Sequence, residues 1–347
     1  MGRVYLDHNA TTPLREEARA AMTAAMDLYG NPSSVHTEGR AAKAAIERAR
    51  AQVSEALGAS GADVIFTSGA TEAAALALAG RGLKAAGIEH DAVRAWVDES
   101  LPVSVDGAVT LADPAGSTLQ LANSETGVVQ VLPEGLAVSD ITQGFGKLPF
   151  AYGWAGVGMV FLSAHKIGGP KGVGALVVPK GTELAAQIKG GGQEMGRRSG
   201  TENVVGIAGF GAAAEAAQAD LAAGRWDEVA ALRDELEAIL IDGADRITVV
   251  GQGAKRLPNT SMIIAPGWKG ETQVMAMDLA GYAVSAGSAC SSGKVKASRV
   301  LTAMGYDDEA AASALRVSLG IQTRRDDVLA FAKVWLDTYR KKRSRAA

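Results

Sequence analysis

The pattern of hydrophobic and polar positions predicts two helices near the N-terminus. Alanine and larger apolar residues recur at helical spacing in LREEARAAMTAAMDLY, residues 14–29, and again in GRAAKAAIERARAQVSEALG, residues 39–58. Thr12 and Pro13 form an N-cap and first-turn pair ahead of the first helix, and Gly58 ends the second. Helical structure is therefore expected before the first strand of the main sheet.

The next segment predicts an α/β fold. DVIFTSGATEAAALAL, residues 63–78, runs from a β-branched and aromatic stretch through Ser68 and Gly69 into an alanine-rich helix, the strand-turn-helix order of such folds. One long helix is expected over residues 207–241. Short apolar runs predict further buried strands of a largely parallel sheet at 92–97, 118–122, 159–163 and 174–178.

The pattern changes after this helix and predicts a second, smaller α+β domain. Short strands alternate with helices expected near 270–280, 296–304 and 325–341. We expect a large domain over residues 13–245, and a small domain that combines residues 1–12 with 246–347. The predicted strands of the small domain are RITVVG, TSMIIA, YAVSA and ALRVSLG.

Composition and charge narrow the functional classes. The 347 residues are 47% hydrophobic, which is enough for a large core, and the net charge of -3 provides no basic field for nucleic acid. Apolar runs all fall short of the roughly 18 residues that span a membrane. A single cysteine and an N-terminus without a long apolar centre favour the reducing cytoplasm. The expected partners are small molecules or proteins.

Lys166 is the first candidate for chemistry, because it follows an apolar run and precedes several glycines in FLSAHKIGGPKGVGALVV, residues 161–178. A lysine there is either surface charge or a Schiff-base lysine whose pKa falls on desolvation. A Schiff base implies pyridoxal phosphate, which needs a phosphate cradle and an acid at its ring nitrogen. SGAT at 68–71 and Asp140 are candidates, although each also fits an ordinary cap or turn. Gln143 is a candidate for the ring oxygen.

The remaining candidates are histidines, one arginine and one cysteine. The four histidines lack metal-ligand spacing, so no metal site is predicted, and acid-base or cofactor-stacking roles are favoured. Arg316 lies in an apolar strand, where it binds either a substrate carboxylate or a structural acid. Cys290 lies in SAGSACSSGK, a polar, glycine-punctuated stretch that indicates a loop, so it is either a small apolar filler or a reactive thiol.

Eight motifs in this order resemble those of the cysteine desulfurases of the NifS/IscS type. The resemblance implies a homodimeric pyridoxal-phosphate enzyme of fold type I and the class V aminotransferase family, with a mostly parallel, seven-stranded type of central sheet. The intact SGSAC-type loop points to group I. The motifs are YLDHNATTP, GNPSSVHTEGR, SGATEA, IEHDAV, SAHKIGGPKGVGALVV, GGGQEMGRRSGTEN, SAGSACSSG and RVSLG.

The resemblance also implies a role for each candidate residue. Lys166 carries the cofactor as a Schiff base, His90 stacks on its ring, Asp140 pairs with the ring nitrogen and Gln143 with the phenolic oxygen. Arg316 takes the substrate carboxylate beside Asn123 and Ser124, and Cys290 accepts the sulfur. The implied phosphate ligands are Ala70, Thr71, Ser163 and His165, with Thr201 reaching in from the other subunit.

The implied reaction removes sulfur from L-cysteine, giving L-alanine and a persulfide on Cys290 for an iron-sulfur scaffold or another acceptor protein. Two departures from the family pattern stand out. Ser124 replaces the second of two asparagines, and only fourteen residues separate Glu125 from Asp140, so a crossover helix of the large domain is expected to be missing. Two alternatives stay open: a class V aminotransferase or selenocysteine lyase without a Cys290 persulfide, and a trimmed, low-activity relative that acts by binding partners.

Overall fold

Two helices precede the central sheet, as the hydrophobic pattern predicts. The computed structural model describes residues 2–287 and 297–346, and places α1 at Glu16–Met26 and α2 at Thr37–Ala56. The predicted cap at Thr12 and Pro13 is wrong, because Arg15 is the residue that precedes α1. The Thr12 hydroxyl instead donates to the carbonyl oxygen of Lys166 at 3.1 Å, so Thr12 stabilises the main chain at the candidate lysine.

Within the described part of the chain, the central sheet consists of seven segments. Four strands hydrogen-bond in the order β2-β7-β6-β5, and residues 117–122 continue the sheet from β5 to β3 and β4. Among these segments β7 alone runs antiparallel to its neighbours, so the sheet is mostly parallel as expected. The strands are β2 Ala62–Thr67, β3 Lys84–Ala86, β4 Asp98–Leu101, β5 Leu136–Asp140, β6 Val157–Ser163 and β7 Gly174–Pro179.

The strand predicted at 92–97 is wrong. Residues Asp91–Arg94 form a short helix, α4, and the strand β4 starts only at Asp98. The ring of His90 caps α4, since its Nδ1 accepts a hydrogen bond from the main-chain nitrogen of Ala92 at 3.1 Å. No helix occurs in the described stretch from 102 to 135, in agreement with the expected loss of a crossover helix.

The single long helix predicted over 207–241 is also wrong. The chain forms α5 at Val204–Ala222 and α6 at Arg225–Gly243, separated at Gly224, whose φ of +71° is readily adopted by glycine. Helix α5 packs on α1 and α2, whereas α6 packs with the C-terminal part of the chain. The domain boundary at residue 245 stays a prediction, and the packing of α6 favours a boundary nearer Gly224.

The C-terminal part forms an antiparallel sheet in the order β11-β12-β9-β8, and a short strand at the N-terminus, β1 (Val4–Tyr5), pairs with β10. Among the described helices, none is both long and apolar enough to cross a membrane. The strands are β8 Thr248–Val249, β9 Thr260–Ile264, β10 Tyr282–Ala283, β11 Ser285–Ala286 and β12 Ala314–Ser318. The remaining helices are α3 Ala70–Leu78, α7 Gly270–Leu279, α8 Arg299–Ala303, α9 Asp308–Ala312 and α10 Arg325–Ala346.

Candidate active site

Lys166 lies where the central sheet meets the N-terminal segment. It ends a 3₁₀ turn that follows the buried strand β6 directly. Its Nζ donates to the carbonyl oxygens of Asn9 and Ala10, at 2.6 and 2.8 Å. The main-chain nitrogen of Thr12 in turn donates to His165 O at 2.9 Å. The N-terminal segment therefore holds the amine in place.

Asp140 ends β5, the parallel neighbour of β6, so its carboxylate lies at the same edge of the sheet as Lys166. Its Oδ1 accepts a hydrogen bond from the main-chain nitrogen of Thr142 at 2.8 Å. Burial raises the pKa of Asp140, and the hydrogen bonds from Thr142 and the nearby His90 and Lys166 offset this only in part. The structure thus brings the predicted acid and the predicted lysine together.

Gln143 is buried beside Lys166 and bonded at both ends of its amide. Its Nε2 donates to Asn9 O at 2.9 Å, and its Oε1 accepts from Lys147 Nζ at 2.9 Å. Burial, assisted by the positive charges of Lys166 and Arg316, lowers the pKa of Lys147 to about 7. The sequence reasoning missed Lys147, although its spacing of four residues after Gln143 in QGFGK was a usable signal.

The predicted phosphate cradle lies at the N-terminus of α3, with Ala70 and Thr71 as its first residues. Ser163 is adjacent, because a Cβ added to Gly69 would lie 3.9 Å from the Ser163 hydroxyl oxygen. A helix N-terminus beside a hydroxyl provides donors for a phosphate. His165 pairs with the Thr11 hydroxyl at 3.1 Å, and burial together with neighbouring lysines lowers its pKa to about 4.

Arg316 is 2% exposed and has two protein partners. Its guanidinium donates to Asp7 Oδ1 at 2.8 Å and to the carbonyl oxygen of Ser124 at 3.1 Å. Its buried Nε has no hydrogen-bond partner among the described residues. The structural acid that was one of the two predicted partners of Arg316 is therefore present, and it is Asp7. The Nε of Arg316 remains a donor without an acceptor among the described residues.

Asn123 and Ser124 lie beside Arg316, and their hydrogen bonds are to other groups of the protein. The Asn123 amide nitrogen donates to Ile88 O at 2.9 Å, and its oxygen accepts from the main-chain nitrogens of Glu125 and Thr126. Ser124 contributes its carbonyl oxygen, which an asparagine would supply equally. A direct contact of either side chain with substrate stays a prediction.

Glu125 is a second residue that the sequence reasoning did not assign. It lines a pocket with His90, Ser124 and Arg316, and its carboxylate accepts a hydrogen bond from the Ser298 hydroxyl at 2.5 Å. Burial raises the pKa of Glu125 to about 7. Cys290 lies outside the described residues. Gly287 and Ser298 flank its segment, and a Cβ on Gly287 would lie 3.1 Å from Glu125 Oε2.

Thr201 is exposed and belongs to the segment that follows β7. Arg198 of the same segment donates to Glu72 in the first turn of α3 at 2.8 Å. The segment is therefore fastened next to the predicted phosphate cradle, while Thr201 itself faces away from the core of its own chain. Its predicted role toward another subunit is not tested by these contacts.

The donor set fits pyridoxal phosphate. An amine suited to the aldehyde, an acid suited to the ring nitrogen and a helix N-terminus suited to the phosphate lie at one edge of the sheet. The positive charge of Lys166 acts on Asp140, so the two side chains lie in the same region of the site. Gln143 shares the carbonyl oxygen of Asn9 with Lys166, and His165 contacts Thr11 in the same N-terminal segment.

Comparison with known proteins agrees with this site. The model of the aminotransferase class-V family matches residues 4–93 and 118–331, and the unmatched stretch falls in the shortened region. The chain is 38% identical to the cysteine desulfurase of Cereibacter sphaeroides, over 94% of this chain and 93% of that protein.

Solved structures show the same relationship. A NifS-like protein from Rickettsia africae superposes with a TM-score of 0.88 at 30% identity, covering 97% of this chain and 99% of that one. The structure of SspA in complex with cysteine superposes with a TM-score of 0.74 at 27% identity, covering 91% and 98%. The chain therefore belongs to the class-V aminotransferase family, among its pyridoxal-phosphate-dependent, NifS/IscS-like cysteine desulfurases.

Proposed function

We propose that this protein removes sulfur from L-cysteine, giving L-alanine and a persulfide on Cys290. One observation carries the proposal: Asn9 and Ser124 form a hydrogen-bonded link between Lys166 and Arg316. Lys166 Nζ donates to Asn9 O, while Asn9 Nδ2 and Arg316 both donate to the carbonyl oxygen of Ser124. An amine site and a guanidinium this close suit the amino and carboxylate groups of one small α-amino acid.

We assign a separate role in the reaction to each residue of the site. When bound, pyridoxal phosphate supplies an electron sink for negative charge that develops at the substrate α-carbon. Lys166 would hold the cofactor, and its Nζ would take the α-proton of the substrate. Asp140 would keep the ring nitrogen protonated, and Arg316 would bind the substrate carboxylate through its Nε, which has no hydrogen-bond partner among the described residues. Gln143 would bind the phenolic oxygen, and Ala70, Thr71, Ser163 and His165 would bind the phosphate.

Sulfur transfer requires a thiolate that attacks the substrate sulfur. We assign this thiolate to Cys290 on the sequence, because it is the only cysteine of the chain. Gly287 and Ser298, on either side of its segment, lie next to Glu125, which lines the same pocket as Arg316. His90 lines the same pocket, which supports its proposed roles in stacking on the cofactor and activating the thiol.

The reaction is tested by incubating the purified holoenzyme with L-cysteine and measuring alanine, sulfide under reductant and protein persulfide. The wild type and Ser292→Ala, a control in the same segment, should form all three products. Cys290→Ala should lose them. If Cys290→Ala still forms alanine, the protein cleaves the carbon–sulfur bond as a lyase without the persulfide, and a keto acid in place of alanine would indicate an aminotransferase. If the wild-type holoenzyme forms no alanine, the low-activity, partner-binding alternative gains support.

A homodimer is part of the proposal. Large apolar side chains are exposed near the segment that carries Thr201: Tyr29 is 85%, Val35 86% and Met195 59% exposed. Pro32 and Ser33, between the first two, line one groove together with Met195. A second copy that covers this groove would bury these side chains and place Thr201 near the partner's cradle. Light scattering should give twice the chain mass, and Val35→Asp should shift it toward the monomer.

The sulfur acceptor is proposed to be an iron-sulfur scaffold or another acceptor protein in the cytoplasm. Transfer of radiolabelled sulfur from the Cys290 persulfide to a purified scaffold protein tests this directly. Retention of all label on the enzyme would exclude that scaffold as the acceptor.

A further inference from the structure

Lys147 is a buried lysine for which neither the family resemblance nor the proposed reaction provides a role. Its side chain is 3% exposed, and no carboxylate of the described residues lies within ion-pair distance of it. The charged and titratable groups that act on it, or line a cavity with it, are His8, Arg15, His165, Lys166 and Arg316. A buried cation without a counter-charge is costly, so its hydrogen bonds need an explanation.

The hydrogen bonds to Lys147 and to the Asn9 carbonyl together fix which way the Gln143 amide points. The protonated form of Lys147 can only donate, so it holds the oxygen end of the amide, and the Asn9 carbonyl can only accept, so it holds the nitrogen end. Gln143 Oε1 accepts from Lys147 Nζ at 2.9 Å, and this turns Nε2 toward Asn9 O, 2.9 Å away. The same carbonyl accepts from Lys166 Nζ at 2.6 Å. The amide nitrogen is thereby presented on the side of Lys166.

We propose that Lys147 is a positioning residue, which fixes the Gln143 amide with its nitrogen toward Lys166 and toward the place assigned to the phenolic oxygen of the cofactor. This inference rests on the proposed site. With one hydrogen of Nε2 donated to Asn9 O, the second stays available for the phenolic oxygen. Without Lys147 the Asn9 carbonyl alone holds the amide in this direction, and a reversed amide would present a carbonyl oxygen to an anionic oxygen.

The charge of Lys147 adds a second, electrostatic effect. Lys166 is close enough to Lys147 to lower its pKa, since like charges disfavour each other. His165 is affected in the same direction by both lysines. Loss of the Lys147 charge should therefore be visible in the protonation of the nitrogen that joins Lys166 to the cofactor.

The test is a pH titration of the visible absorbance band of the reconstituted holoenzyme. Lys147→Met has a similar length without a charge or donor, and Lys333→Met on α10 is the exposed control. We expect Lys147→Met to raise the midpoint of the titration by about one pH unit, and to weaken binding of pyridoxal phosphate to the apoprotein about tenfold. Lys147→Arg should restore part of both, and Lys333→Met should match the wild type.

A double-mutant cycle tests whether Lys147 acts through Gln143. In the Gln143→Leu background, Lys147→Met should weaken cofactor binding no further. A wild-type titration and affinity in Lys147→Met would overturn the proposal, as would a full additional loss in the Gln143→Leu background. If Lys147→Met does not fold, Lys147→Gln is measured against the same expectations. Failure of the proposed site looks different, because the wild type itself would then show no band that depends on Lys166.

Discussion

Arg316 on β12 and Asp7 in the N-terminal segment form an ion pair of 2.8 Å, with side chains that are 3% and 17% exposed. The pair joins the small sheet to the stretch of chain that also carries Asn9, the acceptor for Lys166. The residue assigned to the substrate carboxylate and the residue assigned to the cofactor are therefore held by one short segment.

Replacing Asp7 by alanine should lower the free energy of unfolding by about 3 kcal/mol, because it leaves a buried guanidinium without its counter-charge. Urea unfolding of the apoprotein measures this. Arg324→Ala breaks the exposed pair with Asp327 and should cost at most about 0.5 kcal/mol. Equal losses of unfolding free energy in the two variants would show that the buried Asp7 pair stabilises the protein no more than the exposed pair does.

Lys147 should make stability depend on pH. Its pKa is lowered from 10.5 to about 7 in the folded protein, so between these values the unfolded chain holds a proton that the folded chain has released. The unfolding free energy of the wild type, relative to Lys147→Met, should thus rise with pH across this window. The slope should approach about 1.4 kcal/mol per pH unit. A difference that stays constant from pH 7 to 10 contradicts the lowered pKa.

Glu125 should produce the opposite dependence at lower pH. Burial raises its pKa from 4.5 to about 7, so the folded protein keeps a proton that the unfolded chain has lost. Relative to Glu125→Gln, whose amide oxygen can still accept from Ser298, the unfolding free energy of the wild type should fall as the pH rises from 4.5 to 7. Exposed Glu134→Gln serves as the control, with no such divergence expected.

Gly320 has no room for a side chain, because an added Cβ would lie 2.1 Å from the ring of His8. Gly320→Ala should destabilise the protein by about 2 kcal/mol or more, since the buried ring must move. Gly253→Ala, where no atom lies within 4 Å, is the control. The cost should largely disappear in a His8→Ala background, and its persistence there would place the strain elsewhere.

Local pattern predicted most strands and helices, and its errors have physical causes. The run at 92–97 is apolar enough for a strand, but the His90 ring caps a helix there and the pairing with β3 starts at Asp98. The periodicity over 207–241 continues across Gly224, because each half buries a face against a different core. Hydrophobic spacing predicts which face of a helix or strand is buried, but it does not predict which element packs on that face.

By itself, the sequence determined the family, the mostly parallel sheet and the choice of Lys166 and Asp140 as candidates at strand ends, because motif order and strand ends are local properties of the chain. Only the tertiary structure decided that Asp7 pairs with Arg316, that Asn9 joins Gln143 to Lys166, and that Lys147 and Glu125 are buried beside them. These contacts connect positions far apart in sequence. A buried polar group forms hydrogen bonds with the partners that the fold brings near it. The identity of those partners cannot be predicted from the local spacing of residues.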